Sequence, residues 1–306
     1  MSQSSTERAA PRRALLIVNP GARLAASTRE EALRAFRDAG VSCDPVLTDG
    51  PGHATSLARE RAPSYDAVFT LGGAGTAMEV LSALADHGPP LGILAAGTGN
   101  VLARALGIPL AAGAAVRALL DGRATRIDLG RLQDGRHFAI GVGVGLDEAI
   151  IAGASRRLKQ HVGLLAYVWS GTKAALRLRH FQVRLTVDGA SYERQAAFAL
   201  IANLGAVPFL GRSIQFGSGI SHDDGVLHAC LYSPTNVLDA VRIFAGLLRG
   251  RVPAGSAALY VAGRKFRLET EPRLRAQADG ELLGLTPLEV TVCPLAGHVL
   301  IPAGLR

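Results

Sequence analysis

The sequence predicts two domains in tandem: an α/β domain with a parallel sheet, then an all-β sandwich. Two patterns carry this expectation. Over residues 14–125, apolar runs of strand length alternate with helical runs. That alternation marks a parallel sheet covered by helices. After about Ile127 the pattern changes to short alternating segments separated by Gly, Asp and Pro, which reads as antiparallel sheet. With 306 residues the chain is long enough to bury two cores. The expected divisions are a disordered tail at 1–13, an α/β domain at 14–126, a sandwich at 127–293 and a C-terminal segment at 294–306.

In the first half, Ala14 to Val18 reads as a strand. Ser27 to Ala39 follows as a helix, capped by Ser27 or Thr28 with acids in its first turn. Val41 to Leu47 is the next strand and His53 to Arg61 the next helix. Ala67 to Leu71 is a strand, Thr76 to Ala85 a helix, Leu91 to Ala95 a strand and Val101 to Leu106 a helix. In the second half the strands are His137 to Ile140, Gln182 to Val187, Ala196 to Ala202, Val226 to Tyr232, Lys265 to Thr270, Leu274 to Ala278 and Leu288 to Val292. Val187-Asp188-Gly189 is a hairpin-turn signal. One long helical run, Ser155 to Arg179, interrupts this half.

Composition narrows the functional classes. No run reaches the roughly 18 apolar residues of a membrane span. The best candidate, Val237 to Leu248, is broken by Asp239 and Arg242. The polar start and the short apolar run behind it do not make a signal peptide, so the expected compartment is the cytoplasm. Cys43, Cys230 and Cys293 show no metal spacing and read as reduced structural thiols. The net charge of +8 suits a polyanion such as a nucleotide or an anionic membrane, or else reflects an Arg-rich composition with dispersed charge. No nucleic-acid reader motif is present, so nucleic acid is not an expected partner.

The motifs sit at strand ends, where ligands bind to parallel sheets. Asn19-Pro20-Gly21 ends the first strand. Gly72, Gly73, Gly75 and Thr76 follow the strand at Ala67, and Gly97, Thr98, Gly99 and Asn100 follow the strand at Leu91. Glycines let backbone approach an anion, and helical N–H groups point at it. Two such loops on one sheet edge suit a nucleotide. Glu79, three residues after Thr76, either contributes to this site or closes a capping box. Asp128, in Ile127-Asp128-Leu129-Gly130, reaches back to a nucleotide or its metal, or is a turn carboxylate. Asp223 and Asp224, in Ser221 to Gly225, offer oxygen ligands to a hard cation, or stabilise a turn. Asp279-Gly280-Glu281 offers Asp279 as a general base with Glu281 as its orienting partner, or is a plain hairpin. The segment 155–180 mixes basic residues with Leu, Tyr and Trp, as a membrane-interface helix or a core-facing helix with a basic rim does.

Taken in this order, the motifs resemble those of the diacylglycerol kinase catalytic-domain superfamily, which includes YegS-like, sphingosine and ceramide kinases. The resemblance covers about residues 14–303. It implies a nucleotide-binding α/β domain, a lipid-binding sandwich and a C-terminal segment that returns to the first domain. It further implies ATP and Mg²⁺, with phosphoryl transfer to the hydroxyl of diacylglycerol, ceramide or a sphingoid base at the inner membrane face. Asp279 would accept the proton of that hydroxyl with Glu281 as partner, and Asp223 and Asp224 would hold a structural cation. Asn19, Gly72, Gly73, Gly75, Thr76, Glu79, Gly97, Thr98, Asn100 and Asp128 would line the nucleotide. Three positions depart from the family pattern. Ala74 replaces the Asp of Gly-Gly-Asp-Gly-Thr, Met78 replaces a common Asn, and Val101 stands where many bacterial members have Asp. The lost carboxylate at Ala74 leaves a second expectation, a homologue that binds nucleotide and lipid with impaired transfer. NAD kinase shares the glycine loop and is a third candidate, disfavoured by the Ser221 to Gly225 motif.

Overall fold

The computed structural model describes residues 11–21, 25–97, 99–145, 180–209 and 212–303. The chain divides into two compact units, Met1–Leu129 with Cys293–Arg306, and Gly130–Val292.

The first unit is built on strands β1 (Arg13–Val18), β2 (Ser42–Leu47), β3 (Ala67–Gly72) and β4 (Leu91–Ala95). They run parallel in the order β2-β1-β3-β4. β3 and β4 are buried at every residue, and β1 at every residue after Arg13. Such continuous burial means that both faces of the sheet are covered. The helices are α1 (Ala25–Asp38), α2 (His53–Arg61), α3 (Ala74–Leu84), α4 (Val101–Ala105) and α5 (Ala112–Leu120). α1 packs on α5, and α2 on α3. Phe36 of α1 meets Phe69 of β3 edge-on, with ring centroids 4.8 Å apart. Gly92 of β4 makes room for that ring, since a Cβ there would lie 2.4 Å from it.

Two helix expectations need correction. α1 begins at Ala25, so Ser27 and Thr28 lie within the helix and cap nothing, and its first turn holds no acid. Ala25 and Ala26 are strong helix formers, and they carry the helix back past the polar pair. α5 was not expected from the sequence. Its Ala112, Ala115, Val116 and Leu119 are buried at helical spacing, but alanine makes a faint apolar stripe.

The second unit holds β6 (His137–Phe138), β7 (Gly141–Val144), β8 (Phe181–Val187), β9 (Ala190–Ala196), β10 (Phe198–Ala202), β11 (Ala206–Phe209) and β12 (Arg212–Gln215). It continues with β13 (Leu227–Tyr232), α6 (Val237–Leu247), β14 (Ala258–Gly263), β15 (Lys265–Glu271), β16 (Arg275–Ala278) and β17 (Glu281–Leu285). One antiparallel sheet has the order β14-β13-β10-β7-β16-β17. The other is formed by β9, β8, β15 and the first residues of β18 (Leu288–Ile301). A shared core takes Val142, Val144, Ile201 and Leu231 from the first sheet and Val183, Leu185, Phe266, Leu268 and Val290 from the second. Side chains of β8 alternate between this core and the surface, as a sandwich strand requires.

The turn after Val187 forms as its sequence signals. Asp188 and Gly189 have φ of 49° and 92°, and Val187 pairs with Ala190. Two positive φ values give the twist that closes a two-residue hairpin. β18 is longer than expected. Beyond Val292 it continues into the first unit, where Val299 pairs in parallel with Leu91 of β4. The basic segment at 155–180 lies outside the described residues except for His180. Among the described residues, no helix is long and apolar enough to cross a membrane.

Candidate active site

Three loops of the first unit leave the carboxyl ends of β1, β3 and β4, the side of a parallel sheet where ligands bind. Asn19 ties the first loop to the second. Its backbone N–H donates to the Leu71 carbonyl at 2.9 Å. Its Nδ2 donates to Thr76 Oγ1 at 3.1 Å, and its Oδ1 accepts the Gly21 N–H at 2.9 Å. Gly72 must be glycine for Thr76 to pack, because a Cβ there would lie 2.9 Å from the Thr76 side chain. Gly97 is crowded in the same way, at 3.0 Å from the Gly73 Cα, and the Ala96 N–H donates to the Gly72 carbonyl at 3.0 Å. The two glycine loops therefore meet backbone to backbone. Asn100 adopts φ 50° and accepts the Gly97 N–H on Oδ1 at 3.0 Å. Thr98 lies outside the described residues.

α3 starts at Ala74 with Gly73 as its cap, and among the described residues no side-chain cap bond forms at its start. Gly73 faces open space, with nothing within 4 Å of its Cβ position. Uncapped N–H groups at the positive end of a helix favour an anion. Gly75 is the second residue of that turn and Thr76 the third, so Thr76 is not near the cap. Glu79 does not close a capping box with it. Instead Glu79 Oε1 accepts the Gly52 N–H at 3.0 Å, and Gly52 is the cap of α2. That bond holds a fourth strand-end loop, Thr48 to Gly52, which sequence reading missed. Its Asp-Gly-Pro-Gly after an apolar strand was the available signal. Thr48 in this loop is buried and donates its N–H to the Val18 carbonyl at 2.9 Å.

Asp128 is not a turn residue. It lies in β5 (Arg123–Leu132), fully buried, and its Oδ1 accepts the Leu295 N–H at 2.7 Å. It anchors the returning part of β18. Asp223 and Asp224 serve their own loop. The Ser221 hydroxyl donates to Asp223. Asp224 accepts the Ser221 and Val226 N–H groups at 3.2 and 3.1 Å and sits 2.9 Å from His228 Nε2. Among the described residues no three His, Cys, Asp or Glu converge on a point where a metal ion would sit. Ala74 brings no carboxylate to the glycine loop. A Mg²⁺ ion that completes its shell with water and substrate phosphates needs only one or two protein carboxylates, not such a cluster.

Asp279 of the second unit occupies a tight hairpin between β16 and β17. Its φ is 50°, Gly280 has φ 90°, and Ala278 pairs with Glu281. The carboxylate is gripped by three consecutive amides. Oδ2 accepts the Ala139 N–H at 2.7 Å, and Oδ1 accepts those of Ile140 and Gly141 at 2.9 and 3.0 Å. The donor segment is itself held by Asn203, whose Nδ2 donates to the Ala139 carbonyl at 2.8 Å. Burial pushes the Asp279 carboxyl up to about 6, against the pull of the three amides, and the charge of Glu281 adds to the rise. Glu281 is not the orienting partner expected. Its side chain is exposed at the start of β17, and the backbone amides orient Asp279. Sequence reading had no signal for them, since a peptide N–H is common to nearly every residue.

A parallel α/β unit with paired glycine loops, continued by an antiparallel sandwich with a gripped hairpin aspartate, defines a two-domain class, an α/β domain followed by a β-sandwich. Residues 13–132 match the diacylglycerol kinase catalytic domain, and residues 140–301 match the YegS C-terminal NAD kinase beta sandwich-like domain. The chain belongs to the diacylglycerol kinase family of lipid kinases, in its YegS-like form. It is 28% identical over 297 residues to a diacylglycerol kinase of Bacillus subtilis (strain 168), covering 95% of this chain and 97% of that one. It is also 28% identical over 239 residues to the uncharacterized protein sll0036 of Synechocystis, covering 77% of this chain and only 54% of that protein. A crystal structure of a proposed diacylglycerol kinase from Bacillus anthracis str. Sterne shares the fold. Its TM-score is 0.81 at 24% identity, over 97% of this chain and 100% of that one.

Proposed function

We propose that this protein is an ATP-dependent lipid kinase whose acceptor is the hydroxyl of diacylglycerol or a related lipid. The observation that carries the reading is Asp279, a carboxylate fixed by three amides with its pKa pushed up to about 6. Such a group is ionised at neutral pH and still basic enough to take a proton. The acceptor hydroxyl loses its proton to Asp279 as its oxygen bonds to the γ-phosphorus. The bond from that phosphorus to the bridging oxygen breaks, and ADP departs with the electron pair. Gly72, Gly73, Gly75 and the first turn of α3 hold the phosphates, with Asn19, Gly97, Asn100 and the Thr48 to Gly52 loop around them. Positioning supplies most of the rate in such transfers. Beyond the hairpin, Leu282 and Leu285 are 50% and 54% exposed on the edge strand β17. Leu282, paired with Gln277 close to the turn, brings an apolar side chain near the base and suits an acceptor whose hydroxyl ends a hydrocarbon body.

The test is a kinase assay with labelled ATP against diacylglycerol, ceramide and sphingoid bases, with Mg²⁺ and other divalent ions compared. Labelled phosphatidic acid, the phosphorylated diacylglycerol, is the expected product, and failure to label any lipid overturns the reading. Ala74→Asp belongs in the same assay. Ala74 is the first residue of α3, where an acid would face the phosphates. If the native chain binds ATP without transfer and Ala74→Asp restores turnover, the protein is an impaired homologue instead.

A further inference from the structure

α6 has two apolar sides. One faces inward, with Leu247 buried and Ile243 packed on the cluster of Cys230, Tyr232 and Ala258. The other faces out. Leu238 is 58% exposed and Val241, three residues on, 43% exposed. Residues three apart share a helix face, and a helix with an apolar outer face is suited to a second apolar environment.

We propose that this outer face of α6 docks on an anionic phospholipid bilayer. The charge around it argues for that occupant. Arg242 and Arg249 are exposed on the helix and just beyond its end, and Arg251 follows. The acid of α6, Asp239, is turned back on the helix start, where it accepts the Thr235 N–H at 2.9 Å and the Thr235 hydroxyl at 3.3 Å. The exposed apolar stripe is thus bordered by arginine, the pattern of a helix lying in a membrane interface. A second copy of this chain is disfavoured as occupant, since a two-fold contact would bring like arginines together. At 11 residues α6 is also too short to span. Asp239 and Arg242, which break the run as a span, sit where an interfacial helix carries its polar groups. The inference rests on the lipid-kinase reading for its choice of a lipid surface.

Flotation with vesicles, in the absence of ATP, tests the docking alone. The full chain should float with vesicles containing phosphatidylglycerol and much less with pure phosphatidylcholine. Leu238→Asp with Val241→Asp should weaken that binding about tenfold or more. Arg242→Glu with Arg249→Glu, at exposed positions that do not threaten folding, should weaken it and flatten its salt dependence. Both variants should unfold at the wild-type temperature and keep wild-type turnover on a short-chain diacylglycerol in detergent micelles. Wild-type flotation in either variant overturns the proposal, as does a solution dimer that the variants dissociate. If flotation follows expectation while no lipid is phosphorylated, the docking surface stands and the kinase reading falls.

Discussion

At Asp279, desolvation and hydrogen bonding pull one carboxyl in opposite directions, and burial wins, setting it at about 6. If this group is the base, Asp279→Asn should lower phosphoryl transfer by on the order of 10²–10⁴ and leave ATP affinity unchanged, as steady-state rates and nucleotide titration will read. The kcat/KM of the native chain should rise with pH through about 6 and level off above it, because only the ionised form accepts the proton. Stability carries the same group with a definite sign. The folded chain holds the Asp279 proton more tightly than the unfolded chain, so ionisation costs stability as pH rises from about 4 to 6. The melting temperature of Asp279→Asn should therefore gain on that of the native chain across this window and keep a constant offset above it. A gap that shrinks instead would mean that the three amides outweigh burial. The acid was legible in the sequence because an Asp-Gly pair between alternating strands marks a tight hairpin. Its partner was not. Spacing pointed to Glu281, yet the hairpin pairs Glu281 with Ala278 and leaves its side chain outside, while the grip comes from amides some 140 residues upstream.

Among the elements, the start of α3 is where neighbouring glycines do different work. Gly72 has an ordinary place in β3 but no space, with Thr76 2.9 Å from its Cβ position. Gly73 has space, with φ −87° and nothing within 4 Å. Gly72→Ala should cost about 1–3 kcal/mol through overpacking, read as a lower unfolding midpoint. Gly73→Ala should leave that midpoint unchanged or slightly raised yet weaken ATP binding about tenfold, because its methyl group enters the space a phosphate needs. Wild-type ATP affinity in Gly73→Ala would show that α3 does not cradle the phosphates. The glycine pattern was readable at this level, and the helix start was not. Thr is a favoured cap, so the sequence pointed to Thr76. The Thr76 hydroxyl accepts from Asn19 instead, and Gly73 begins the helix. Of the two readings of Glu79, the capping box fails for the same reason. A capping box is a local pattern, whereas the acceptor is used by Gly52, 27 residues earlier.

For the whole molecule, the decisive feature is that the first unit is finished by the last residues of the chain. The strand expectation ended at Val292 because Pro294 and Gly297 break the alternation that follows. The family resemblance implied that the last residues return to the first domain, but that they do so as one continuous strand shows only in the tertiary contacts. Asp128 accepts the Leu295 N–H, and the Asp86 N–H donates to the Ala296 carbonyl at 2.8 Å. Arg126 donates to the Asp86 and Leu295 carbonyls at 3.0 and 3.3 Å. Ala296, Val299, Leu300 and Ile301 are all buried. The fit is tight enough that Gly122 has no room for a side chain, its Cβ position lying 2.0 Å from the Ile301 carbonyl oxygen. Removing residues 293–306 would leave β4 with an open edge and take away the Leu295 N–H that Asp128 accepts, a loss of about 1.5–3 kcal/mol for a hydrogen bond to a charged group before any apolar burial is counted. A chain ending at Val292 should thus lose the cooperative unfolding of the first unit and its ATP binding, though every glycine loop is intact. Asp128→Ala in the full chain should move both measurements in the same direction by less. If the shortened chain still binds ATP with native affinity, the parallel sheet is complete without β18, and its long return serves some purpose other than closing the nucleotide-binding unit.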